Sequence, residues 1–469
     1  MLLLALTGFI TGSSIGAESS VSELLEKGIY SEESKGDLDG AMKLYEQVVN
    51  DAKGGISIAA QAQYRLGVCY YKKKDFSQAT EAFEKLIKDY PDQKEWVARA
   101  REYLVGAAAL APAQWTDGEE LKFDIKFPTG FKLGTAIYSV RSSQLEGHKT
   151  WHISSRMFAG VQSFSWVEAD MESMKPLRSR WKHTLIGDVE ATYVEGRADL
   201  KTSGKEGTKQ LELDGVIYDN EEAIQLMRRL PLETNYQTSV RFVSSLAASI
   251  VPVKLEVSGV EKVTVSAGTF DCYKVELSIR QTFWYSTDSH RYLVKFEANG
   301  VVVELAEINK RKAGEPATYH NPAYNVSITV PADWAFCTVG KQDKDSSAVL
   351  ILDPEANALG SLKVVNGEKL KLGDKKSARG WAEKLIADHS DDKDFKVRSD
   401  SWKDREVGGR PGVSFIADYV EGKDKKICYA VCVMDGPKAV YVDLTTTTEQ
   451  FDALKASFEG IVDSYKADQ

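Results

Sequence analysis

Few residues in this 469-residue chain are spaced for chemistry. Gly12-Ser13-Ser14-Ile15-Gly16 fits the pattern that exposes a nucleophilic serine on a strand-to-helix turn. No strand-like run precedes it, and it falls in an apolar N-terminal segment, so it carries no such role. His148 and His152 are four apart, a spacing that on a helix turns two imidazoles toward one zinc ion. Here Thr150, His152 and Ser154 alternate with Trp151 and Ile153, which is a strand pattern, and no Glu-x-x-His accompanies them. His183, His290, His320 and His389 are scattered. Asp391 to Asp394 lacks calcium-loop spacing and reads as a solvated turn. No P-loop, dinucleotide glycine pattern or Cys-x-x-Cys occurs. The expectation is no catalytic residue, no metal and no cofactor. A hydrolase built from distant residues would need a polar cleft presenting a histidine to a serine or cysteine.

Five cysteines leave at least one thiol unpaired. Cys69 lies in a helical apolar stripe, as a small core residue would. Cys428 and Cys432 fall on one face of a strand-like run. A bridge from Cys337 to one of them would need an oxidising compartment; buried free thiols are the favoured reading.

The net charge of −9 speaks against nucleic acid, which needs a basic surface, and against electrostatic docking on anionic lipid. Met1 to Ala17 is an apolar run followed by small residues and resembles a secretory signal peptide, with Glu18 as the mature N-terminus. No Lys or Arg precedes the run, which leaves a buried N-terminal segment as the other reading. The run is too short to span a bilayer, and no other stretch qualifies. The expected location is therefore exported, periplasmic or extracellular.

Three segments differ in their hydrophobic period. Residues 18–110 repeat at three and four, as helices do, and carry an internal echo: Asp37, Ala41, Tyr45 and Val48 return as Asp75, Ala79, Phe83 and Leu86. Each Asp can cap a helix, each Ala admits a neighbouring helix, and each aromatic fills the gap between helices. With Leu66, Gly67, Tyr70 and Pro91, the segment resembles the tetratricopeptide repeat family. A last helix from Lys94 would cap the stack. The resemblance implies a concave face that binds a protein partner, for which Tyr64, Tyr70 and Phe83 are the candidates. A packing module docked on the rest of the chain is the alternative.

From 115 to 309 the period is two. Leu121, Phe123 and Ile125 alternate with polar neighbours, as do Val253, Leu255 and Val257; this marks antiparallel strands with one buried face. One helix interrupts, near Asn220 to Arg229. The run Gly118 to Phe123, Gly134-Thr135-Ala136, Pro176 to Ser179, Arg229-Leu230-Pro231-Leu232, Val265 to Cys272 and Trp284 to Asp288 is similar to an uncharacterised family of bacterial envelope domains. That resemblance implies an open β-barrel like that of the periplasmic lipoprotein carriers. Phe164, Trp166, Phe283 and Trp284 are candidates to line an apolar cavity, or else are barrel core.

Residues 319–469 open with the strand Tyr324 to Val330, then Pro331 and Trp334. A helix over Ser377 to His389, the turn Gly408 to Gly412, three strands and a final helix over Glu449 to Tyr465 follow. This order resembles the PsbP-like domains, and implies an antiparallel sheet flanked by helices that binds partners. The fold class is thus multidomain α and β: an all-α helical repeat, an antiparallel open β-barrel with one helix, and an α+β sheet domain. The expected function is an exported envelope binding or scaffold protein rather than an enzyme. The alternative is a carrier of a lipid or acyl chain in the barrel.

Overall fold

A computed structural model describes residues 20–51, 55–73, 75–104, 110–183, 185–194, 196–213, 216–312, 314–321, 323–339, 346–370, 377–388 and 394–467. The leader-like segment 1–17, His389 and 391–393 lie outside them. The chain divides into two compact units, residues 1–104 and 105–469.

The first unit is five helices: α1 (Val21–Glu33), α2 (Leu38–Asn50), α3 (Ile56–Lys72), α4 (Phe76–Asp89) and α5 (Lys94–Leu104). Each packs on the next. Asp37 caps α2 by accepting from the Gly40 amide at 2.9 Å, and Asp75 caps α4 by accepting from Gln78 at 3.2 Å. The repeat is four helices long, because each pair closes on a glycine under an aromatic ring. A Cβ at Gly28 would lie 2.5 Å from the Tyr45 ring, and one at Gly67 would lie 2.5 Å from the Phe83 ring. Between the pairs, the buried Glu32 carboxylate accepts from Tyr45 Oη at 2.7 Å, Lys72 Nζ at 2.7 Å and Arg65 Nη1 at 3.1 Å. Those donors hold its pKa low against the burial that would raise it.

In the second unit the barrel strands are β1 (Glu119–Lys126), β2 (Lys132–Leu145), β3 (His148–Phe158), β4 (Gln162–Asp170), β5 (Pro176–His183), β6 (Gly187–Val194), β7 (Arg197–Thr202) and β8 (Lys209–Glu212). Then come β9 (Tyr218–Asp219), α6 (Ala223–Arg229), β10 (Gln237–Ser244), β11 (Ser249–Val265), β12 (Gly268–Leu277), β13 (Gln281–Ser286), β14 (Leu293–Ala298) and β15 (Val301–Lys310). They form one sheet in the order 8-7-6-5-4-3-2-1-15-14-13-12-11-10-9. Only the β9–β10 pair is parallel. The sheet curls around a core that joins Leu121, Phe123 and Ile125 of β1 to Val253, Leu255 and Val257 of β11 and to Leu226 and Met227 of α6. Its two ends approach where Val189 and Ala191 of β6 meet Ile217 and Val243.

The rest of this unit has a small sheet of β16 (Ala317–Asn321), β17 (Val326–Val330) and a C-terminal strand, β26 (Lys466–Ala467). A larger sheet is made of β18 (Ala335–Val339), β19 (Ser346–Leu352), β20 (Ala358–Asn366), β21 (Lys396–Val397), β22 (Lys403–Val407), β23 (Arg410–Glu421), β24 (Asp424–Asp435) and β25 (Lys438–Thr447). Helix α8 (Phe451–Asp463) covers one face and α7 (Ala378–Asp388) the other. Cys428 and Cys432 share the α7 face of β24. Cys337 lies in a different cluster, with Ile137, Ala335 and Leu352, so it is not placed to bridge either one; all five cysteines are free thiols.

That Cys337 cluster is where the sheet domain covers the outer face of β2. Arg311 reinforces it, donating to Ala332 O at 2.6 Å and to Glu120 Oε1 at 3.2 Å, and Lys182 donates to Asn357 Oδ1 at 2.7 Å.

Candidate functional site

Inside the barrel is a cavity of about 280 Å³. Strand alternation builds its wall. Tyr138 of β2, Met157 of β3 and Ser165 of β4 face it from one side, with Phe242 of β10, Leu255 of β11 and Phe283 of β13 opposite. One turn of α6 contributes Ala223, Ile224 and Met227.

An ion pair fixes that helix to the start of β1, at one end of the barrel. Arg228 is 0% exposed. Its two terminal nitrogens pair with the two Glu119 carboxylate oxygens, and it also donates to Gln225 Oε1 at 2.8 Å and His290 O at 2.7 Å. Its guanidinium lies 5.4 Å from the Trp115 ring and 5.7 Å from that of Tyr292. Four acceptor oxygens and two rings compensate a charge that would otherwise be costly to bury.

Three carboxyls stand at the start of the helix. Asp219 accepts from the Ser179 and Tyr193 hydroxyls and, at 2.8 Å, from the Glu221 amide. Glu222 reaches back to the Asp219 amide at 2.8 Å, completing a capping box. Glu221 faces the cavity. Burial raises the proton affinity of all three. For Glu221, burial first and then the Asp219 charge push the pKa to about 7.

The opposite end is open. The turns β1–β2, β5–β6, β10–β11 and β12–β13 share it, and their tips expose Phe127, Phe131, Leu185, Ile186, Leu246 and Ile279. Ile279, 43% exposed, is also part of the cavity wall, so the cavity reaches this apolar rim.

Of the four aromatic candidates for a cavity lining, Phe164 and Phe283 are on the wall. Trp284 alternates with Phe283 along β13 and so points away from the cavity. Trp166, on the same face of β4 as Phe164, lies in an outer cleft that Phe164 also lines. Trp284 donates through Nε1 to Glu261 and lies under Lys295 Nζ at 4.6 Å. Trp166 stacks on His152, ring centroids 5.9 Å apart, in an outer cleft shared with Asp333 and Glu355. There His152 Nδ1 meets Glu168 Oε1 at 2.7 Å and Thr150 donates to Glu168 at 2.6 Å. Among the described residues no serine or cysteine is bonded to that imidazole, so the cleft does not form the pairing that acyl transfer requires. No group of three metal-ligating side chains occurs among the described residues.

The helical candidates separate as well. Phe83 is 0% exposed against Gly67 and cannot touch a partner. Tyr64 is half-buried, 5.4 Å from Trp96 and 6.2 Å from Tyr103. Tyr70 is half-buried where two helical cores meet. Sequence reasoning missed Glu221, Tyr138 and Phe242. The signal for Glu221 was the acidic Asp219 to Glu222 stretch, which reads equally as a helix start.

Residues 122–305 match the family described as "Protein of unknown function (DUF3108)", and residues 61–92 match the tetratricopeptide repeat family. No curated protein matches the chain. Among solved structures it is similar to cyanobacterial PsbP from Synechocystis sp. PCC 6803, at 15% identity over 34% of this chain and 95% of that one, TM-score 0.28. It is also similar to a β-barrel-like protein of the DUF1849 family from Brucella abortus, at 14% identity over 44% of this chain and 100% of that one, TM-score 0.30. A third is LpqN of Mycobacterium tuberculosis, described as involved in cell envelope biogenesis, at 10% identity over 33% of this chain and 91% of that one, TM-score 0.21. No helix among the described residues is long and apolar enough to cross a membrane.

Proposed function

We propose that the chain is a binding protein of the cell envelope rather than an enzyme. Its barrel holds one small apolar or amphiphilic molecule, and its helical repeats dock a protein partner. The observation that carries this reading is the cavity of about 280 Å³, walled by apolar side chains of the strands and of α6 and reaching the exposed Ile279 at an apolar rim. Ligand sites are concave, mostly apolar and supplied with a few polar groups, with volumes of about 300–1,000 Å³. At the lower edge of that range, this one suits a single short chain rather than a multi-chain lipid. The repeat match at 61–92 supports the docking role, and the apolar 1–17 segment supports export.

The test is titration of the full chain with N-phenyl-1-naphthylamine, whose fluorescence rises in apolar sites. Saturable binding of one dye per chain is expected, lost in Ala223→Trp, which fills the cavity from α6. A folded parent protein that gives no enhancement contradicts the reading.

A further inference from the structure

We infer that the barrel cavity selects amphiphiles whose head is a single ammonium group, paired with the Glu221 carboxylate. This rests on the cavity being a ligand site, as proposed above.

Glu221 is the single ionisable acid or base of ordinary range on the cavity wall; no lysine, arginine or histidine among the described residues lines it. Its polar neighbours are neutral: Asn220 Nδ2 donates at 3.3 Å, and the Ser165 hydroxyl also donates to it. The carboxyls behind it deepen the deficit of positive charge. Asp219 is held by two hydroxyls and a backbone amide, and Glu222 by a backbone amide, with no cation bonded to either among the described residues. One Glu222 oxygen is buried without a partner. Two other buried carboxylates have cations: Glu32 has Lys72 and Arg65, and Glu119 has Arg228; Asp353, like Asp219, is held by backbone amide donation. The acidic end of the cavity lacks one, and a bound cation would supply it.

The rest of the wall suits such a ligand. Phe283 and Phe296 stack with centroids 5.2 Å apart, and Tyr138 and Phe242 add two more rings. Aromatic faces attract ammonium groups most strongly where water is excluded. The rest of the wall is largely Val, Leu and Phe, which suits an apolar tail. An anionic head would meet the Glu221 carboxyl and no compensating cation among the described lining residues, so fatty acids are disfavoured.

The experiment is calorimetric titration of the full chain with octylammonium, octan-1-ol and octanoate, which share a tail. Octylammonium is expected to bind at least roughly tenfold tighter than octan-1-ol, the scale of a hydrogen bond to a charged partner, with octanoate weakest. Glu221→Gln should abolish the preference for ammonium while leaving octan-1-ol binding intact. Octan-1-ol binding with no ammonium preference in the parent protein overturns this inference alone. Failure of all three probes overturns the cavity reading as well. If Glu221→Gln does not fold, the ranking of the three probes on the parent protein still decides.

Discussion

Glu221 carries an acidic group into an apolar cavity, and its proton affinity follows from that position. Its pKa rises from the ordinary 4.5 to about 7. The folded state therefore holds a proton that the unfolded state has released, and stability falls as pH rises through that window. In ligand-free protein, Glu221→Gln should be nearly neutral at pH 4 and stabilising by about 1–3 kcal/mol at pH 8, read from urea denaturation at both values. Arg228 makes the opposite case. Removing it strands the buried Glu119 carboxylate, so Arg228→Met should cost about 3–5 kcal/mol. Replacing both partners with methionine should recover most of that loss, because two apolar side chains leave no uncompensated charge.

At the scale of elements, the helices were legible because their spacing and caps were local. Asp37 and Asp75 cap where the sequence placed caps, and the short helix Ala223–Arg229 falls within the Asn220 to Arg229 stretch where one was expected. The match between Gly28 and Gly67 was not legible, since only the facing ring of Tyr45 or Phe83 shows what each glycine admits. Gly67→Ala should destabilise the helical unit by about 1–3 kcal/mol, seen as faster hydrogen exchange in α3 and α4, with partial recovery on Phe83→Leu. Among the barrel aromatics, Phe283 and Trp284 could not both face inward on one strand. Alternation alone left open which of the two did.

For the whole second unit, sequence patterning identified a barrel segment and a sheet segment but not their packing. The period-two pattern of residues 115–309 marked strands with one buried face, and in β2 that pattern sets Tyr138 and Val140 opposite Ile137 and Ser139. Both faces are buried, because Ile137 packs against Ala335, Cys337 and Leu352 from 200 residues or so further along the chain. Contacts between residues so far apart leave no local pattern. Ile137→Asp should open this contact and make the buried Cys337 thiol accessible, measured as labelling of its peptide by a thiol reagent that leaves the parent protein unmodified there.

The cavity reading itself is tested most directly by native mass spectrometry of the full chain as purified, beside Ala223→Trp. The account predicts one small amphiphile per parent chain, bound as purified or after addition of octylammonium, and none on the folded variant. A folded parent chain that carries nothing and takes up no added amphiphile would contradict it.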